Sequence, residues 1–177
     1  MINSEGLMIS EIALKSFYEE DFNIEREIEN FKIMMKGKNC FCPLAIIIDD
    51  NDFNILALKY LLKKVGILAD TSLSANDALS KMKNIFENNF CCKFYTFIFL
   101  DIEMPEKDGL QCYDEIIEYC SSKQIEGFFV VAVTAHHYSS EIMVRIKEKG
   151  IKNILIKPVS LETLILQISK IYKKFNQ

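Results

Sequence analysis

From residue 44 onward, short apolar runs rich in β-branched and aromatic residues alternate with amphipathic stretches. The runs are LAIII (44–48), ILADT (67–71), FYTFIFL (94–100), FFVVAV (128–133) and NILIK (153–157). Helical spacing occupies 53–65, 75–89, 109–122, 139–149 and 161–175 between and after them. The pattern predicts five rounds of strand then helix. Apolar residues follow one another in the strands rather than alternating with polar ones, as expected of strands covered on both faces, so a parallel sheet between two helical layers is predicted. Right-handed crossovers then give an open α/β doubly wound sandwich.

Residues 1–43 read differently. They hold eight acids and five bases and no convincing strand. Leu14, Phe17, Ile24, Ile28, Phe31 and Met35 fall at three- and four-residue spacing, with Asp21 interrupting the seam. That is a helix with one apolar stripe, and it suits packing on its own domain or a homodimer through the N-terminal helix. Gly37 and Pro43 punctuate its end. The expected organisation is a helical extension at 1–43 and one domain at 44–177.

Composition narrows the function classes. A net charge of -4 leaves no basic footprint, so neither nucleic acid nor an anionic membrane is expected as a direct partner. The six cysteines have neither zinc-site nor disulfide-ladder spacing. Without a signal peptide or a long apolar run, a reducing cytoplasmic location is expected.

The polar residues at the strand ends carry the chemistry. Asp49 and Asp50 follow the first run, Asp101 the third, Thr134 the fourth and Lys157 the fifth, while Asp70 and Thr71 end the second without a comparable setting. Open parallel sheets bind ligands beyond the carboxyl ends of their strands, where the strand order reverses. With the order 2-1-3-4-5, these residues converge there. Three clustered carboxylates repel one another unless a cation compensates, and Mg2+ prefers such oxygen ligands. Asp50, Asp101 and the backbone carbonyl of Glu103 would hold the ion, with Asp49 acting through water. Together with Lys157 it would stabilise a phosphoryl group arriving at a carboxylate, and the Thr134 hydroxyl would bond one phosphoryl oxygen. An aspartyl phosphate is the implied product.

The segments IIIDDND, FLDIEMPEKDGL, VVAVTAH and ILIKPV, in that order, resemble the receiver domain of two-component response regulators over residues 44 to about 175. DDNDFNILALKYLL looks more like the receivers of eukaryotic-type hybrid histidine kinases than like free-standing bacterial regulators. The resemblance implies a flavodoxin-like sheet of order 2-1-3-4-5 flanked by five helices, with Asp101 as phosphoacceptor, Asp49 and Asp50 as the magnesium-binding pair, Thr134 as the switch hydroxyl and Lys157 as the family's lysine. It implies phosphoryl transfer from a histidine kinase or a histidine phosphotransfer protein, and a downstream protein partner. No enzyme activity is expected beyond self-phosphorylation and autodephosphorylation. With no output domain after residue 177, the chain is expected to be free-standing or the C-terminal receiver of a hybrid kinase.

Two departures stand out. Ile154 occupies the position where many receivers have an aromatic switch residue, and His136 and His137 follow the threonine. A pseudo-receiver that binds partners without phosphorylation is the alternative, and the intact set of site residues argues against it. A haloacid dehalogenase would need D-x-D-x-[TV] at the nucleophile, which DIEMP lacks.

Overall fold

The computed structural model describes residues 23–36, 42–88, 94–105, 107–136 and 140–175. Five strands, β1 (Ala45–Ile48), β2 (Ala69–Ser72), β3 (Phe97–Asp101), β4 (Phe129–Thr134) and β5 (Asn153–Ile156), form one parallel sheet in the order β2-β1-β3-β4-β5. Among the described residues, six helices accompany it: α1 (Ile24–Lys36), α2 (Asp52–Lys64), α3 (Ala75–Glu87), α4 (Gly109–Ser122), α5 (Glu141–Glu148) and α6 (Leu161–Phe175). The doubly wound α/β fold and the strand order are those expected.

Alternation explains the unbroken apolar strands. Ala45, Ile47, Phe97, Phe99, Val131, Val133 and Leu155 point to one side, where they pack with α2 and α6. Ile46, Ile48, Ile98, Leu100 and Val130 point to the other, against α3 and α4, and Met104 joins that layer. A smaller cluster of Ile102, Leu110, Ala132, Met143, Ile146 and Ile151 seats α5, with Ile154 packed at its margin. Each strand residue loses water on whichever face it meets, at about 25 cal/mol per Å² of apolar surface.

Element boundaries differ from the sequence reading where backbone closure intervenes. Ile67 does not open β2: its N–H bonds Leu62 O at 2.9 Å, and Gly66, at φ +83°, bonds Lys63 O, so both residues close the end of α2. That is the glycine-capped ending common to helices. Tyr95 precedes β3 rather than belonging to it, and its buried hydroxyl donates to Asp70 Oδ2 at 2.7 Å. Helix α5 is shorter than its periodicity suggested. At the outer edge of β2, Lys81 donates to Thr71 O at 2.7 Å and to Asp77 Oδ2 at 2.6 Å.

Helix α1 lies on α6 of its own chain. Ile24 and Ile28 join the cluster under α2 and α6, and Glu27, 8% exposed, accepts a 2.9 Å hydrogen bond from the Ser169 hydroxyl. Leu14, Phe17 and Asp21 of the predicted seam fall outside the described residues, as do Cys40, Cys91 and Cys92.

Candidate functional site

Two helix starts build the floor of the site. Asn51 caps α2 by accepting from Phe53 N, and the same turn aims two donors at Asp49 Oδ1: the Asn51 N–H at 2.9 Å and the Asn54 amide at 3.0 Å. At the end of β3 the chain turns back into α4. Gly109 N bonds Ile102 O at 2.9 Å, and Asp108 caps the helix by accepting from Gln111 N at 2.8 Å. A Cβ on Gly109 would lie 2.1 Å from the Asp101 carbonyl oxygen, so the bare backbone lets α4 pass against the strand end.

These turns bring Asp49, Asp50 and Asp101 together, with one carboxylate oxygen from each within 4.8 Å of the others. Asp49 and Asp101 are buried and Asp50 is exposed. Lys157 reaches in from the end of β5 and donates to Asp101 Oδ2 at 2.7 Å and to Asp49 Oδ2 at 2.8 Å. Asp101 Oδ1 accepts from the Glu103 N–H at 3.2 Å. Thr134, fully buried at the end of β4, accepts from the His136 N–H at 3.1 Å. The peptide bond between Lys157 and Pro158 is cis.

Burial is the largest influence on Asp101 and pushes its carboxyl above the usual range. The Lys157 hydrogen bond and charge pull it down, Asp49 pushes it up, and the net direction is upward. For Lys157, burial acts to lower the ammonium pKa, but the hydrogen bonds and charges of Asp101 and Asp49 together overcome it and hold the pKa above the ordinary lysine value. Desolvation thus prevails at the acid, and the ion pairs prevail at the base.

The donor set fits a hard divalent cation: clustered carboxylate oxygens, one of them exposed to solvent, and no sulfur or imidazole in the group. Beside it runs a groove of about 130 Å³, walled by Asn54, Ala57, Leu58 and Leu61 of α2 and by Pro158 and Val159, with Asp49, Asp101 and Lys157 at its base.

Of the candidate site residues, Asp49, Asp50, Asp101, Glu103, Thr134, His136 and Lys157 lie at this end of the sheet, whereas His137 is outside the described residues. Two contacts were not foreseen. Asn54, one turn into α2, orients Asp49; an amide just after the acidic pair was the available signal. Glu103, expected to matter through its backbone, also uses its side chain, with Oε1 2.8 Å from His136 Nε2.

A parallel doubly wound sheet with an acid cluster and a lysine at its switch point suits a cation-binding carboxylate site rather than a dinucleotide-binding one, because no glycine-rich loop follows β1. The response regulator receiver domain model matches residues 45–169, and the chain belongs to that family. It is 30% identical over 133 residues to hybrid signal transduction histidine kinase L of Dictyostelium discoideum, covering 75% of this chain and 7% of that protein. It is 27% identical over 133 residues to the peroxide stress-activated histidine kinase mak1 of Schizosaccharomyces pombe, covering 75% of this chain and 8% of that protein. The chain therefore spans less than a tenth of either relative. Among solved structures, it is similar to the receiver domain of the histidine kinase CKI1 from Arabidopsis thaliana, complexed with Mg2+ and BeF3-. The TM-score is 0.63 at 27% identity, over 73% of this chain and 89% of that one. The chemotaxis protein CheY4 of Vibrio cholerae shares the fold, with a TM-score of 0.58 at 20% identity over 71% of this chain and 95% of that one. The chain is a receiver domain of two-component signalling, similar to those of hybrid histidine kinases. Among the described residues no helix is long and apolar enough to cross a membrane.

Proposed function

We propose that Asp101 accepts a phosphoryl group from a phosphohistidine on a histidine kinase or a histidine phosphotransfer protein, and that the modified domain changes its affinity for a downstream protein. The observation that carries this reading is the placement of Asp101: its carboxylate is buried, gripped by Lys157 at 2.7 Å and by the Glu103 N–H at 3.2 Å, and clustered with Asp49 and Asp50. A carboxylate fixed at both oxygens, with a cation beside it, is oriented to attack an incoming phosphorus.

In the transfer an Asp101 oxygen bonds to phosphorus as the donor's N–P bond breaks. The N–P electron pair returns to the imidazole, which takes a proton from solvent. Lys157 offsets charge on the phosphoryl oxygens. Thr134 already accepts from His136, so its own hydroxyl proton is available to a phosphoryl oxygen. Asp50, Asp101 and the Glu103 carbonyl would hold Mg2+, with Asp49 acting through water. When bound, the ion would supply positive charge that offsets the negative charge of the phosphoryl group. The similarity to a receiver held with Mg2+ and BeF3- supports both assignments.

The partner reading rests on α2. Phe53, Leu56 and Tyr60 form an exposed apolar stripe at three- and four-residue spacing, and the helix that carries it begins beside Asp49 and Asp50. Such a stripe next to the reacting carboxylate suits a donor protein that must both dock and present its histidine. The domain itself is read as 44–177, with residues 1–43 as a helical extension, in a cytoplasmic setting.

Incubating the chain with a small phosphodonor and Mg2+ tests the proposal by intact mass. One phosphoryl adduct is expected, dependent on Mg2+ and absent from Asp101→Ala. A folded wild type that takes no adduct from any donor would leave the pseudo-receiver reading in its place.

A further inference from the structure

A carboxylate has about four lone-pair positions, two on each oxygen. At Asp49 three are filled: Oδ1 accepts from the Asn51 N–H at 2.9 Å and from the Asn54 amide at 3.0 Å, and Oδ2 accepts from Lys157 Nζ at 2.8 Å. Only 5% of the Asp49 side chain is exposed, so solvent offers it little else. Asp101 is engaged differently, with the Glu103 N–H on Oδ1 and Lys157 on Oδ2. Each of its oxygens keeps a position open. Asp49 Oδ1 is closed.

The two donors that close it are not held alike. The Asn51 N–H belongs to the backbone turn that starts α2, where Asn51 also accepts from Phe53 N and Ile55 N. It cannot withdraw without undoing the helix start. Asn54 holds on by its side chain alone, with the amide nitrogen facing Asp49, because a carboxylate only accepts. The Asn54 amide therefore decides whether Oδ1 is free.

We propose that Asn54 biases the site toward Mg2+ over Ca2+, by closing Asp49 Oδ1 and so denying a cation the two-oxygen grip that favours Ca2+. The proposal rests on the metal-site reading above. Ca2+ takes about six to eight oxygens in loose geometry and gains from a carboxylate that offers both of its own. Mg2+ is smaller, keeps several waters and demands near-octahedral geometry, so single carboxylate oxygens suit it. With Oδ1 closed and Lys157 on Oδ2, Asp49 has one position left. That suffices to accept from a metal-bound water and falls short of a chelating carboxylate. Asn54 is thus a positioning residue, acting on the cation through Asp49.

Isothermal titration of the chain with MgCl2 and, separately, with CaCl2 gives two dissociation constants and their ratio. Asn54→Ala should shift that ratio toward Ca2+ about three- to tenfold, the equivalent of one hydrogen bond. Alanine is a strong helix former, which keeps α2, and circular dichroism confirms that the titrated protein is folded. Asn54→Leu, similar in shape and without a donor, should shift the ratio in the same direction. Lys157→Gln removes a charge and keeps a donor. It should tighten both cations alike, because they carry the same charge, and leave the ratio within about twofold of wild type.

A merely structural role for Asn54 would weaken both cations together, so a ratio that stays put in its variants overturns the proposal. A shift toward Mg2+ does the same, as does a shift of equal size in Lys157→Gln, which would trace the selectivity to charge. A wild type that binds neither cation overturns the metal-site reading, and the role of Asn54 falls with it. The expected ratios in a chain that takes no phosphoryl adduct would overturn the phosphoacceptor reading and leave this one standing.

Discussion

Lys157 and Asp101 stand at the ends of strands that are not neighbours, with β4 between them, yet their charged atoms meet at 2.7 Å. The long lysine side chain spans the switch point and also binds Asp49 at 2.8 Å. Removing it leaves two buried carboxylates facing each other. Lys157→Ala is expected to lower stability by about 2 kcal/mol without divalent cation, less than for a fully buried pair because the lysine is partly exposed. Added Mg2+ should restore more stability in the variant than in wild type. Urea unfolding with and without Mg2+ measures both, and equal midpoints for the two proteins under both conditions would contradict the expectation.

The acid side of the pair predicts a pH dependence. Burial first, and then the Asp49 charge, raise Asp101 above the ordinary carboxylate value of 3.8 despite Lys157. The folded state therefore keeps its proton to higher pH than the unfolded state. Binding more protons when folded means that this residue's contribution to stability falls as pH rises from about 3.8 through the raised value. Asp101→Asn removes the titration, so the variant should gain on wild type across that window. Lys157 gives a second slope: its stabilisation is full below the ordinary lysine value and is lost as pH rises through the raised one. Urea midpoints at stepped pH, compared between wild type and Asp101→Asn, separate the two.

Gly109 yields a steric prediction. An added Cβ would sit 2.1 Å from Asp101 O and 2.6 Å from Ile102 Cα, both backbone atoms that cannot rotate away. Gly109→Ala must push the start of α4 off the end of β3. A loss of roughly 2 to 3 kcal/mol is expected, with phosphoryl loading reduced because the Asp101 backbone shifts. Denaturation and intact mass report the two effects.

Cys112 and Cys120 line the inner face of α4. Burial, joined by Glu115, pushes the Cys112 thiol up to about 12, and burial pushes Cys120 up to about 11. Because the thiolate is the reactive form, both should resist alkylation at about pH 8 in the native protein and react once denatured. Peptide mass spectrometry after iodoacetamide, with and without denaturant, decides this. Native modification of either would show that α4 opens readily.

The elements legible in the sequence were those with a strong local signature. Runs such as LAIII and FFVVAV announced buried strands, and the acids, threonine and lysine at their ends marked one edge of the sheet. Less legible were features set by contacts between distant segments. Tyr95 looked like strand because it is aromatic in an apolar run, but its hydroxyl is fixed by Asp70, 25 residues away. Ile67 looked like strand for the same reason, and helix closure through Leu62 claimed it. The pairing of Glu103 with His136 depends on two loops being brought face to face, which no periodicity encodes. Helix α1 showed its stripe in the sequence, whereas the surface it covers became visible only once α6 was in place beside it.

The edge at β2 has a consequence beyond signalling. The carbonyls of Leu68 and Ser72 are bonded by β1, so strand alternation turns that of Thr71 outward, where Lys81 occupies it while Asp77 holds the ammonium. A foreign strand approaching that edge would have to displace a charge-assisted hydrogen bond and lie against a cation. One open side of the sheet is thus defended against self-templated aggregation by a single lysine.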